Sequence, residues 1–211
     1  MKYTDKYLKR AGIAGQMLRW VPFIRMAGLN GSIVRGEEKE GSDIDFLIIA
    51  KEGRLYTARL FATIFIQLTG WRRYGDQIAG RICLNCYLSD KKPNITPHNT
   101  KSREKVARAY KYLIPLVDVN KVSNKFFEVN KWFREYQVTG SEYQVKLIDE
   151  ISPKGPKIPV RFLEIYLGGN FGNWIEKKLM NYQVKRILAG KKKRDETVAT
   201  KDEIRLHPKK K

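Results

Sequence analysis

Residues 29–49 read LNGSIVRGEEKEGSDIDFLII. A Gly-Ser pair, Gly31 and Ser32, precedes two aspartates, Asp43 and Asp45, that flank one isoleucine at the head of an apolar run. Alternate residues of a strand share a face, so Asp43 and Asp45 lie together with Cα atoms about 6.5–7 Å apart, while Ile44, Phe46 and Ile48 turn into a core. Two carboxylates so placed repel, and partial burial sharpens the repulsion. A hard divalent cation, magnesium or manganese, relieves it, because oxygen ligands suit those ions. Gly31 and Ser32 come at the end of a short strand, FIRMAGL, and open one helical turn, SIVRG, closed by Gly36. The amides of such a turn and the Ser32 hydroxyl can receive phosphate oxygens, and Arg35 adds positive charge one turn later. Acids that hold a cation beside a phosphate-binding turn are the parts needed for metal-assisted phosphoryl or nucleotidyl transfer.

Gly31-Ser32, Arg35-Gly36, a polar loop, and Ser42-Asp43-Ile44-Asp45 entering an apolar strand together resemble the DNA polymerase β-like nucleotidyltransferase superfamily, in particular its small bacterial and archaeal members. The resemblance rests on about residues 28–49 and extends through a strand, helix, strand succession to Leu88. It implies an α/β (α+β palm) fold, a mixed β-sheet backed by helices. It also implies two divalent ions, Mg2+ or Mn2+, and transfer of NMP from an NTP, ATP among them, to a hydroxyl, phosphate or amine. Asp43 and Asp45 fall on the family's metal-ligand positions, Gly31 and Ser32 on its triphosphate-binding turn. The family usually places a third carboxylate on a following strand, and here the strand RICLNCYL offers Asn85. An amide oxygen can ligate a cation but accepts no proton near neutral pH. Asp76 and Asp90, on either side of that strand, are the alternative carboxylates. The chain is then either a nucleotidyltransferase with Asp43, Asp45 and Asn85 at its catalytic centre, or a catalytically weak or inactive relative that binds nucleic acid or a partner.

The rest of the chain sets the context. At 211 residues it is long enough to bury a core without covalent staples. Lys and Arg number 42 against 22 Asp and Glu, a net charge of +20 that invites a polyanionic partner such as RNA. The densest basic clusters are Lys191–Arg194 and Lys209–Lys211. No apolar secretion signal opens the chain, and the apolar helix expected from Leu55 to Trp71 is too short for a membrane span and contains Arg59, so a cytoplasmic protein without a membrane partner is expected. Cys83 and Cys86 read as packed thiols; in a regular strand, positions i and i+3 point to opposite faces, which keeps them from sharing a metal or a disulfide. In Trp71-Arg72-Arg73-Tyr74 the tryptophan reads as packed, and the two arginines stay open between base stacking and packing. GGNFG, residues 168–172, lacks the strand and the Lys-Ser/Thr of a P-loop and reads as a helix interruption. The expected organisation is a palm over 1–92, a mostly helical basic region over 93–190, and a basic tail over 191–211.

Overall fold

The computed structural model describes residues 3–97, 100–137, 155–190 and 197–206. Helix α1 (Tyr3–Leu18) ends ahead of Pro22 and leads into strand β1 (Ile24–Asn30). A 3-10 turn (Ile33–Arg35) follows and is closed by Gly36 in the left-handed region, φ 66°. Next come strand β2 (Ile44–Ala50), helix α2 (Leu55–Leu68) and strand β3 (Ile82–Ser89). Helix α3 (Thr100–Tyr110), strand β4 (Ile114–Asp118), helix α4 (Val122–Val129) and a second 3-10 turn (Lys131–Glu135) complete the middle of the chain. Helices α5 (Ile158–Tyr166) and α6 (Asn170–Ala189) precede two short strands, β5 (Val198–Ala199) and β6 (Glu203–Arg205).

The strands form one mixed sheet in the order β4-β1-β2-β3-β6-β5. Among the described strands only β2 and β3 run parallel; every other neighbouring pair is antiparallel. A parallel pair requires a crossover, and α2 provides it. Strand β2 lies inside the sheet with both faces covered, which explains why DFLIIA is almost uninterruptedly apolar instead of alternating. Ile44, Phe46 and Ile48 enter the core beneath α1 and α2, whereas Leu47 and Ile49 join a second core with Tyr110 of α3 and Phe126 of α4. Among the described residues no helix is long and apolar enough to cross a membrane.

Two segments differ from their sequence expectations. Residues 114–118, taken with the helix before them, form strand β4 at the edge of the sheet. Pro115 ends the helical pattern, and an edge strand tolerates the missing N–H. Within the region read as a basic tail, β5 and β6 form a hairpin whose β6 pairs with Cys86–Leu88 of β3. Their apolar residues, Val198 and Ile204, are too few to stand out against the surrounding lysines. The lysine clusters themselves lie outside the described residues.

The C-terminal helices are fastened to the sheet by buried charge. Helix α2 has no side-chain cap from its own N-terminal flank. Glu176 of α6 takes that place: its carboxylate accepts from the Tyr56 and Thr57 amides at 2.8 Å each and from the Thr57 hydroxyl at 2.6 Å. An anion at a helix N-terminus is favoured by the exposed N–H groups there. Buried Arg54 does the converse for α5, donating to the carbonyls of Leu167 at 3.1 Å and Gly168 at 2.8 Å, and to Asn173 Oδ1 at 2.7 Å. The break between α5 and α6 at 167–169 is the expected interruption, and a Cβ on Gly172 would strike the Leu167 carbonyl. Glu176→Ala strips three donors of their acceptor and is expected to cost about 2–4 kcal/mol in urea denaturation, with Glu176→Gln costing less. A loss under about 0.5 kcal/mol for the alanine variant would show that the cross-chain cap contributes nothing.

Candidate active site

Asp43 stands immediately before β2 and Asp45 is the second residue of that strand. Period-2 alternation places them on the face of Leu47 and Ile49, opposite Ile44, Phe46 and Ile48. Cys83 of β3 is the register partner of Asp45. One ligand atom from each of Asp43, Asp45 and Cys83 lies within 4.8 Å of the others. Between the pairs Phe46–Leu84 and Leu47–Cys86 the register slips by one residue, which leaves Asn85 unmatched. Asn85 Nδ2 donates to Asp45 Oδ1 at 2.8 Å.

The same slip corrects the reading of the two cysteines. Cys83 is opposite Asp45 and Cys86 opposite Leu47, so both thiols fall on one face, Cys86 within the core and Cys83 at the acids. Strand periodicity alone cannot announce a bulge, and for that reason nothing in the local pattern marks Cys83 as part of the site.

Arg73 was also missed. The backbone of 71–73 runs beside the start of β3, with the Ile82 amide donating to the Trp71 carbonyl and the Arg73 amide to the Ile82 carbonyl. This brings Arg73 Nη1 to 2.5 Å from Asp43 Oδ2 and 3.7 Å from Cys83 Sγ. Trp71 packs against the core under the Arg10 guanidinium, 5.4 Å from its ring. The available clue was a basic run leading into the strand that carries Asn85.

Gly31 adopts φ 83°, and a Cβ built on it would lie 2.6 Å from Asp45 Oδ2. Glycine is therefore needed both for the backbone turn and for the close approach of the carboxylate. Its amide donates to the Ala109 carbonyl of α3 at 3.1 Å. The Ser32 carbonyl accepts from the amides of Arg35 and Glu37, and its hydroxyl caps no backbone group. Arg35 braces this turn: Nη1 donates to the Gly31 and Arg108 carbonyls, both at 2.7 Å, and Nε pairs with Glu37 at 2.9 Å. Arg108 also reaches Glu37, at 2.8 Å, and ties the turn to α3. Asp76 is exposed in the connector, and Asp90 at the far end of β3 accepts the Glu52 amide, so neither joins the acid pair.

The donor set fits a hard divalent cation. Besides the two carboxylates, two buried amide oxygens, Asn30 Oδ1 and Asn85 Oδ1, have no hydrogen-bond partner, and Asn30 is the cross-strand neighbour of Asp45. Burial and the two carboxylates push the Cys83 thiol well above its ordinary range, which leaves it protonated and a weak ligand for such an ion.

Burial, and then the Asp43 carboxylate, push Asp45 up to about 7 from an ordinary 3.8, against the opposing pull of Arg73, Cys83 and Asn85. Between those two pH values the native state holds a proton that the unfolded chain has released. Stability without metal should therefore fall as pH rises from about 4 to about 7, by at most about 1.4 kcal/mol per pH unit. Urea denaturation in chelator at both ends of that window measures the fall, and Asp45→Asn should remove most of it. An equally steep fall in the variant would assign the effect to another group.

Across residues 15–166 the chain matches the family model described as a nucleotidyltransferase domain. No curated protein and no solved structure gives a significant match. The matched span includes the Gly31 turn, the acid pair, Asn85 and strands β1 to β4. With a mixed sheet that sets two aspartates against a glycine turn, and with the family model covering most of its length, the chain belongs to the nucleotidyltransferase domain family.

Proposed function

We propose that the chain is a metal-dependent nucleotidyltransferase that moves NMP from an NTP to a polyanionic acceptor, RNA being the class favoured by its net charge of +20. The reading is carried by the clustering of Asp43 and Asp45 with Cys83, directly under the Gly31 turn. Asp43 and Asp45 would hold Mg2+ or Mn2+, which when bound neutralises charge at the phosphate being transferred. Gly31 and Ser32 receive triphosphate oxygens, the first by leaving room for close approach and the second through its hydroxyl. Arg35, with Glu37 and Arg108, keeps that turn in place. Arg73 neutralises Asp43 in the resting protein; once the acids take up a cation, its guanidinium is free to pair with a phosphate. In the transfer, the acceptor oxygen bonds to the α-phosphorus, the bond from that phosphorus to the bridging oxygen breaks, and pyrophosphate leaves. The acceptor proton passes to water, because Asn85 has no basic atom to receive it.

A second reading, a catalytically weak or silent fold that binds nucleic acid or a protein partner, is favoured by Asn85 beside Asp45 and by the Arg73–Asp43 ion pair. Incubation with labelled NTPs, magnesium and total RNA separates the two. Label transferred to an acceptor supports the enzyme; salt-sensitive RNA binding with neither transfer nor NTP binding supports the module.

Asp43→Asn and Asp45→Asn are each expected to reduce magnesium-dependent NTP binding and transfer by about 10²-fold or more, as read by calorimetry and label transfer. Binding equal to the parent's would remove the metal assignment. Asn85→Asp replaces the amide donor at Asp45 with a third carboxylate. That variant should melt lower in chelator, recover with magnesium, and transfer faster by up to about 10²-fold. A melting temperature indifferent to magnesium would separate residue 85 from the ion.

A further inference from the structure

Strand β6 pairs with β3 at Cys86–Leu88; past it the Leu206 amide donates to the Asn85 carbonyl, and the 71–73 segment bonds to Ile82, so Cys83 and Leu84 lie between the two attachments. Along that stretch runs a cavity of about 270 Å³, lined by the consecutive residues Ile82, Cys83, Leu84 and Asn85 and by Arg72, Arg73 and Tyr74. Consecutive strand residues point to alternate faces, so this cavity follows the edge of the sheet and connects its two sides. It shares Arg59, Thr63, Arg72, Tyr74 and Leu206 with a second cavity of about 460 Å³ between α2 and α6, where Tyr182 and Arg186 form the far wall. The two adjoin along these shared residues and make one channel from Cys83 and Asn85, which neighbour the acid pair, to the space between α2 and α6.

The lining of this channel is cationic and aromatic. Among the described residues no carboxylate lines either part, and Arg59, Arg72 and Arg186 form no salt bridge with one. Among the described residues Arg59 donates to the neutral Gln183 Oε1, at 2.5 Å, lies 5.9 Å from the Tyr87 ring centroid, and keeps its Nε buried without a hydrogen-bond partner. Arg72 has a long contact, 3.4 Å, with the Gln67 amide oxygen. Three guanidinium groups around one concavity repel unless an anion enters. Tyr74 and Tyr182 are 74% and 62% exposed, and both rings line the channel. Arginines without counter-charges beside exposed aromatic rings match a phosphate next to a base. The inner end reaches Asn85, Cys83 and Arg73, the groups that touch the two acids.

We propose that this channel binds a nucleoside phosphate as the acceptor, with the phosphate on Arg59, Arg72 and Arg186 and the base against Tyr74 or Tyr182. The assignment deepens the transfer reading of the Asp43–Asp45 site and rests on it for the word acceptor; binding in the channel does not depend on it. The ligand is either the end of a single RNA strand or a free nucleotide.

The test measures binding to the full chain in chelator, in separate arms, of a labelled single-stranded oligoribonucleotide and of AMP, and of ATP with magnesium. The variants are Arg186→Glu and Tyr182→Ala, both at exposed positions on α6, with a thermal melt as the folding control. Binding of the oligonucleotide or of AMP should weaken at least about 10-fold in Arg186→Glu and about 5-fold in Tyr182→Ala, while magnesium-ATP binding stays within about 2-fold. For the oligonucleotide, the salt slope should also drop by about one ion in Arg186→Glu. Which arm responds identifies the source of the nucleoside phosphate. The proposal is overturned if the parent binds neither ligand, if both variants bind like the parent, or if magnesium-ATP binding falls in parallel, which would make the channel part of the donor site. A parent that binds in the channel but transfers no label removes the transfer reading and leaves the channel standing.

Discussion

Two carboxylates two residues apart on one strand cannot avoid each other, and much of the surrounding structure answers that repulsion. Arg73 is carried in along the start of β3 to neutralise Asp43. The register slip in β3 turns an amide donor toward Asp45. Gly31 gives up its side chain so that the Asp45 carboxylate fits beneath the turn. Even so, burial and Asp43 together keep Asp45 partly protonated near neutrality. A site assembled in this way is held ready for positive charge, and the orphaned amide oxygens of Asn30 and Asn85 point to the same need.

The acid pair, the glycine turn and the strand, helix, strand succession are legible in the sequence because each is written in local order. Alternation around Asp43 and Asp45, a Gly-Ser after a strand, and an apolar helix between two apolar strands are all short-range signals. The family match and the mixed sheet agree with that reading. What stayed hidden depends on contacts distant in sequence. Arg73 joins the site only because its segment lies beside β3, and Cys83 joins because a bulge cancels the usual i, i+3 opposition. Arg35, read as a charge for phosphate, also braces the turn to α3. Strand β4 was obscured by the helix that runs into it, and β6 by the charge around it.

Charge has two separate uses in this protein. Glu176, Arg54 and Glu164 are buried or half-buried, each matched to helix ends, backbone groups or a partner arginine, and they hold α5 and α6 to the sheet. Among the described residues, Arg59, Arg72 and Arg186 have no such carboxylates and surround open space. The first group settles its charge within the fold, and the second leaves charge available to a ligand. The net positive balance of the sequence is thus not spread evenly in function, even though α6 contributes to both groups through Glu176 and Arg186.

The order of strands in the sheet also bears on how the chain comes off the ribosome. The central strands β1, β2 and β3 are made early, but β4, which covers one side, comes later, and β6, which covers the other, arrives only at Glu203–Arg205. The cap on α2 waits as well, since Glu176 lies 120 residues after Tyr56. Until β6 is made, the Cys86–Leu88 edge of β3 is therefore an open row of amides and carbonyls, the arrangement that recruits foreign strands. A nascent chain of this design keeps that edge exposed until β6 has emerged.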